Sequence, residues 1–303
     1  MKVLITGATG LVGTALRKHY EEQGIEVHYL TTSKKKIGQG YGAGFLWNPR
    51  KNEMDLQAFE GVTHLVNLAG ASIAQRWTSK NRKSILNSRI DSLSTLNEGL
   101  KQLDSNKIEH FLTASAIGIY PNSYSTEYQE EHTGVDNSFL GEVVEAWEKA
   151  VQPFDEHAFP VSILRIGIVL DAEEGALPKL VQPIVSGVGA PLGSGRQWQS
   201  WIHIQDLVGI ILHAQKHALS GVYNGVAPQP VRQKELTQAV AKSLGKKIWL
   251  PPVPSFVLQL MLGEMAYIAL ASQRVSAEKI LQAGYAFTFD KVQAALDSLL
   301  RKS

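Results

Sequence analysis

With 303 residues, 44% of them hydrophobic and 19% charged, the chain holds enough apolar material for one large core or two closely joined ones. Its net charge is +2 and no long block of cations occurs, which excludes the electrostatic footprint of a nucleic-acid binder and leaves small, anionic molecules as partners. The absence of cysteine removes disulfides, thiolate catalysis and zinc–thiolate sites.

Met1-Lys2 leads straight into the apolar run Val3-Leu4-Ile5, read as a buried strand. No basic region with a long apolar stretch precedes it, so no targeting signal is expected and the cytoplasm is the default location. Leu11 to about Gln23 reads as a helix ended by Gly24, and Val27 to Thr31 as the second strand. Further strands are expected at Phe45–Trp47, His64–Leu68, Phe111–Ala114 and Val161–Arg165, with helices at Lys80–Leu103 and Phe139–Val151. This alternation selects an α/β fold, a doubly wound parallel sheet with helices on both faces.

After Leu170 the chain is punctuated by Gly175, Pro178, Pro183, Gly187, Gly189, Pro191, Gly193 and Gly195. Residues 1–170 are therefore read as a Rossmann-like core and residues 171–303 mainly as a smaller C-terminal α/β lobe for the substrate. A strand and helix around 200–225 return to the core, the strand at Val222–Asn224, and a helix follows over Val231–Leu244. Val253 to Ser272 is apolar, but Gln259, Gly263 and Glu264 interrupt it, so a buried or lid-like helix pair is expected there in place of a membrane span.

The turn Thr6-Gly7-Ala8-Thr9-Gly10-Leu11-Val12-Gly13 joins the first strand to the first helix. In that context Gly7 permits a tight turn, Gly10 lets backbone N–H groups approach a pyrophosphate, and Gly13 lets helix and strand pack closely. Thr9, Leu11 and Val12 complete this cofactor-binding turn, where the helix N-terminus adds partial positive charge. An acid about 20 positions further on would hold a ribose 2′-hydroxyl. The second strand instead runs into Thr31-Thr32-Ser33-Lys34-Lys35-Lys36. Thr32, Ser33, Lys34 and Lys35 suit a 2′-phosphate, which favours NADP over NAD as the cofactor.

Several runs match a known pattern in order and spacing. They are Asn67-Leu68-Ala69-Gly70, Trp77 with Ser88-Arg89, Leu112 through Ser115 to Tyr120, Glu145 to Glu148, and Leu164-Arg165-Ile166-Gly167. Later come Ser200 to Leu207, Gly221 to Asn224, Leu262 to Ala266 and Gly284 to Phe287. Through these the whole chain resembles the extended short-chain dehydrogenase/reductase superfamily, and within it the atypical epimerase-like family whose C-terminal segment, here about 249–297, is the domain of unknown function DUF1731. The resemblance implies that Asn67, Leu68, Ala69 and Gly70 lie beside the cofactor ribose. It also implies Ser115 near the nicotinamide, Ile166 and Gly167 flanking its ring, and Arg89 turned inward toward phosphate.

The superfamily's chemistry uses a Tyr-x-x-x-Lys pair on one helix turn, in which the cation eases proton exchange by the phenol. No tyrosine in this sequence has a lysine four positions later. Phe139-Leu140-Gly141-Glu142-Val143 falls where the motif belongs, with Phe139 for the phenol and Val143 for the cation, and a shift of one position would put Ala116 in the serine slot. Ser115 is a candidate catalytic residue, and Tyr120, Glu142 and His203 are candidate replacement acid/bases, with Arg76 or Arg89 to hold an anionic substrate. The resemblance also implies that Trp201 to Leu207 is a substrate-domain hinge with His203 buried and hydrogen-bonded in it. His203 and Asp206 lack the further ligands a metal requires, so no metal site is expected. Three readings stay open: an NADP-binding, epimerase-like oxidoreductase of unassigned substrate, a non-catalytic NADP-responsive scaffold, and a nucleotide-sugar epimerase. An oligomer is compatible with each.

Overall fold

A computed structural model describes residues 1–103 and 107–301; the last two residues of the expected C-terminal lobe lie outside the described residues. Along the chain, β1 (Lys2–Thr6), β2 (Glu26–Thr31), β3 (Ala43–Asn48), β4 (Glu53–Met54), β5 (His64–Asn67) and β6 (His110–Ala116) build most of one sheet. After the short β7 (Glu127–Tyr128), β8 (Val161–Ile166) joins it, β9 (Ile168–Leu170), β10 (Trp198–Gln199) and β11 (Trp201–His203) lie beyond, and β12 (Gly221–Gly225) takes the edge. The eight-stranded sheet runs β12-β8-β6-β5-β1-β2-β3-β4, parallel except for the last pair.

Alternation along the strands feeds two cores. Val3 and Ile5 of β1 point into a core with α1 (Leu11–Glu22), while Leu4 points the other way. On that second face Leu65 and Phe111 pack under α2 (Ser79–Lys101) and α3 (Phe139–Lys149), with Leu93, Leu96 and Trp147 as the helix contributions. A strand buried on both faces reads as a continuous apolar run, which is why Val3-Leu4-Ile5 carries no polar alternation. Beyond β9 the chain forms α4 (Leu177–Val185) and then α5 (Ile204–Lys216), which packs beside α1 on the first face; Tyr20 donates to Gln215 Oε1 between them at 2.6 Å. Each fully buried aliphatic or aromatic side chain here contributes roughly 1.5–3 kcal/mol.

The expected helix at Val231–Leu244 divides into β13 (Val231–Arg232) and α6 (Gln233–Ser243). Leu236 and Val240 of α6 and Leu177 and Ile184 of α4 form a third core, to which Ala295 and Leu296 of the final helix also belong. Between them the apolar segment breaks into α7 (Ser255–Leu262), a turn at Gly263 with φ +60, and α8 (Tyr267–Leu270). β14 (Arg274–Val275), α9 (Glu278–Gln282) and α10 (Val292–Leu300) follow. Among the described residues no helix is long and apolar enough to cross a membrane. β14 pairs in parallel with β7, and Ser272 donates its N–H to Asn122 Oδ1 at 2.8 Å, so the C-terminal segment is fastened over the ends of β6 and β8.

Candidate functional site

The turn after β1 is shaped by two glycines. Gly7 has φ +67, and a Cβ there would sit 2.5 Å from the Leu68 carbonyl oxygen; one on Gly13 would sit 2.3 Å from the Gly7 carbonyl oxygen. Gly10 is the N-cap of α1, and no side chain caps that helix. The first N–H groups, those of Leu11, Val12 and Gly13, have no intrahelical acceptors, an arrangement that suits an anion. The Leu11 side chain turns to a separate groove beside α5, and Val12 packs on the first core, so both serve the turn through backbone.

Next to this turn, at the C-terminal ends of β1, β2, β3 and β5, lies a cavity of about 570 Å³ whose wall includes Gly7, Thr9, Thr32, Ser33, Lys36 and Arg50. Lys36 Nζ donates to Thr9 Oγ1 at 2.9 Å. Lys34 and Lys35 do not line the cavity, which leaves Lys36 as the lysine at its wall. The cause is local: the Tyr29 hydroxyl donates to the Lys36 carbonyl at 2.8 Å and anchors the turn so that the third lysine, not the first two, faces the glycines. Arg50, which sequence reasoning missed, arrives from the turn after β3; burial raises the pKa of the nearby Asp91 carboxyl, and Arg50 opposes that shift.

Ala69 and Gly70 line the same cavity, whereas Asn67 is fully buried. Its Oδ1 accepts from Thr6 Oγ1 at 2.6 Å and its Nδ2 donates to Thr113 Oγ1 at 3.0 Å, which ties β1, β5 and β6 together. The Thr6 hydroxyl in turn accepts from the N–H groups of Leu68 and Ala69, at 3.2 and 3.1 Å, and so sets the path of the loop that follows.

A second, narrower cleft of about 170 Å³ opens between β6, β8, α3 and the C-terminal segment. Ile166 and Gly167 lie in its wall, as does Ala116, and Ser115 does not. Ser115 Oγ donates to Glu148 Oε1 at 2.6 Å, and Glu148 is bound by Arg165 Nε and Nη2, each at 2.8 Å. Arg165 Nη1 donates to the Tyr120 hydroxyl at 2.9 Å, which donates to Asn224 Oδ1 at 2.8 Å. Tyr120 is 0% exposed, and burial pushes its pKa up to about 12 against the pull of Arg165. Glu142 faces solvent from α3. His203 caps α5, its Nδ1 accepting from the Gln205 N–H at 3.1 Å. None of these four candidates therefore lines the cleft.

The side of α3 facing the cleft presents Leu140 and Val144, four residues apart, with Val143 beside them. Phe139 is turned instead into a neighbouring cavity, edge-on to Trp77 at 5.1 Å, so Leu140 and not Phe139 faces the cleft at the start of α3. Two polar side chains of the wall matter for chemistry. Arg89 Nη1 donates to the carbonyls of Ile85 and Ala71, at 2.7 and 3.2 Å, and its guanidinium lies 4.8 Å from the Trp147 ring centroid. Burial lowers its pKa to about 10. Tyr267, which sequence reasoning also missed, enters from α8 and donates to Asp136 Oδ2 at 2.7 Å; burial and then that carboxylate hold its pKa well above the ordinary phenol value.

Comparison with known proteins follows this geometry. The model of the NAD dependent epimerase/dehydratase family matches residues 3–225, and that of the domain of unknown function DUF1731 matches residues 253–299. The chain is 33% identical over 301 residues to the epimerase family protein YfhF of Bacillus subtilis, covering 99% of this chain and 98% of that one. It superposes on the human epimerase family protein SDR39U1 (isoform 2), solved with NADPH, with a TM-score of 0.89 and 30% identity over 99% of each chain. The nucleoside-diphosphate sugar epimerase of Corynebacterium glutamicum superposes with a TM-score of 0.79 and 28% identity, over 99% of this chain and 58% of that one.

Proposed function

The chain belongs to the NAD dependent epimerase/dehydratase family, and from that membership we propose that it is an NADP-dependent oxidoreductase of unassigned substrate that works without a phenol–lysine pair. The residues present fit a dinucleotide: an uncapped helix N-terminus for the diphosphate, and beside it a cavity with Lys36, Arg50, Thr32 and Ser33 for a phosphorylated ribose. The NADPH in the human relative's structure supports the same choice. When bound, the cofactor supplies a hydride. Ile166 and Gly167 wall the cleft that would take its ring, and Ala116, Leu140, Val144 and Trp147 exclude water from it.

The observation that carries this reading is a cleft wall formed at Ala116, Leu140 and Val144, which offer no hydroxyl, phenol or cation. A sugar epimerase must remove and return a hydroxyl proton, and this wall offers no group ready to accept one. The Tyr267 hydroxyl, committed to Asp136, favours a second reading, a non-catalytic NADP-responsive binding protein. Titrating NADPH and NADH into wild type and Lys36→Ala tests the cofactor assignment. Loss of one charge-assisted hydrogen bond costs about 1.5–3 kcal/mol, so NADPH affinity should fall by roughly 10- to 150-fold while NADH affinity stays constant. Lys34→Ala and Lys35→Ala should do little. Equal losses for both cofactors with Lys36→Ala would refute the assignment, and a carbonyl and enone panel followed at the reduced-nicotinamide absorbance separates the two readings.

A further inference from the structure

Several polar side chains of the narrow cleft already bond to the protein itself. Ser200 Oγ donates to the Gln273 carbonyl at 2.8 Å and accepts from the Val275 N–H at 2.9 Å. Gln199 Nε2 donates to the Trp198 carbonyl, Gln273 Nε2 to the Tyr120 carbonyl, and Tyr267 to Asp136. A hexose needs partners for several hydroxyls, and each one buried without a partner costs about 1–3 kcal/mol. The adjoining cavity beyond Tyr267 contains Arg82, but that cation already pairs with Glu264, so a sugar diphosphate would have to break an existing ion pair.

Arg89 is the one charged side chain of this wall among the described residues. Among the described residues no carboxylate lies within ion-pair distance of it, and its two hydrogen bonds leave from Nη1 alone. A largely buried guanidinium without a counter-charge is costly, and an anion reaching Nη2 or Nε would offset that cost. With the nicotinamide ring against Ala116 and Leu140, the space left to a substrate is part of about 170 Å³, well below the roughly 300–1,000 Å³ of sites for drug-sized ligands. Resting on the functional reading above, we infer that the cleft takes a small, mainly apolar molecule with a single anionic oxygen group held by Arg89, and not a nucleotide sugar. Trp147, Leu140 and Ile168 supply apolar contact, and Arg89 supplies the one charge.

The test is calorimetric binding of phenylacetate, phenylacetamide and UDP-glucose to the protein saturated with NADP. NADPH affinity is measured first; its absence in wild type would sink the functional reading, and the three ligands are then titrated into the unliganded protein, where the same order of affinities is expected. Phenylacetate should bind about tenfold or more tightly than its neutral amide, and UDP-glucose more weakly than both. Arg89→Met should erase the preference for the acid and weaken phenylacetate more than NADPH, whose cavity the guanidinium borders at Gly70, whereas Arg89→Lys should retain part of the preference. If Arg89→Met fails to fold, the wild-type comparison of acid and amide decides alone. Equal binding of acid and amide, no binding of phenylacetate, tighter binding of UDP-glucose, or a loss of NADPH affinity as large as the loss for phenylacetate would each overturn the inference. The last outcome would make Arg89 a ligand of the cofactor's phosphates.

Discussion

Replacing Glu148 by Gln should destabilise the fold far more than it disturbs cofactor binding. The Arg165 and Glu148 side chains are 8% and 15% exposed, and the carboxylate receives two bonds from Arg165 and one from Ser115. Removing one partner of a buried ion pair costs about 3–5 kcal/mol, because the other charge stays buried and uncompensated. Urea unfolding should show that loss as a lower midpoint with an unchanged slope. The double variant Glu148→Gln/Arg165→Met should recover much of it, since the unpaired cation is then gone. Ser115→Ala removes one hydrogen bond to a charged group and should cost about 1.5–3 kcal/mol, with NADPH affinity unchanged. A Glu148→Gln loss under about 1 kcal/mol, the range of exposed pairs, would refute the reasoning. So would Ser115→Ala if it abolished cofactor binding while leaving stability intact.

Other outcomes follow from the same structure. Tyr267→Phe should lower the unfolding free energy by roughly 1–3 kcal/mol, because Asp136 keeps its backbone donors but loses the phenol; NADPH affinity should stay constant, and a large change in it would place the hydroxyl on the cofactor. His110 is fully buried, and burial pulls its pKa from 6.5 to about 4. The unfolded chain then binds more protons than the folded one between these values, so stability should fall as pH drops from 6.5 toward 4, by up to roughly 3 kcal/mol. His110→Gln should flatten that part of the urea-midpoint profile, and an unchanged slope would contradict the assignment. Gly13→Ala places a Cβ against backbone that cannot yield without moving the turn, so it should abolish dinucleotide binding in any variant that still unfolds cooperatively.

The glycine turn and the alternation of strands and helices were legible because each is a local pattern with one physical reading. The phase of an element was harder. All residues of β6 from His110 to Ser115 are buried, so no polar face in the sequence says whether Ser115 or Ala116 looks into the cleft. A one-residue step in a strand reverses every side chain, and that step separates a serine facing the cleft from one turned to Glu148. On α3 the same uncertainty exchanged Phe139 for Leu140. Lys36 could not be chosen over Lys34 and Lys35 because the choice depends on a hydroxyl from β2, seven residues earlier. Tyr267 and Asp136 meet across 131 residues of chain, and no local signal joins them. Tyr120 looked reactive by residue type, but its neighbours make it the centre of a buried network, while His203 is buried and hydrogen-bonded as a helix cap, in line with the hinge role the resemblance implied.

The most direct measurement is the structure of the protein crystallised with NADPH. The account predicts diphosphate oxygens accepting from the first N–H groups of α1, the 2′-phosphate beside Lys36, and the nicotinamide against Ala116, Leu140 and Val144. A diphosphate turned away from those N–H groups, or the hydroxyl of Ser115 or Tyr120 swung into hydrogen-bond reach of the ring, would contradict it.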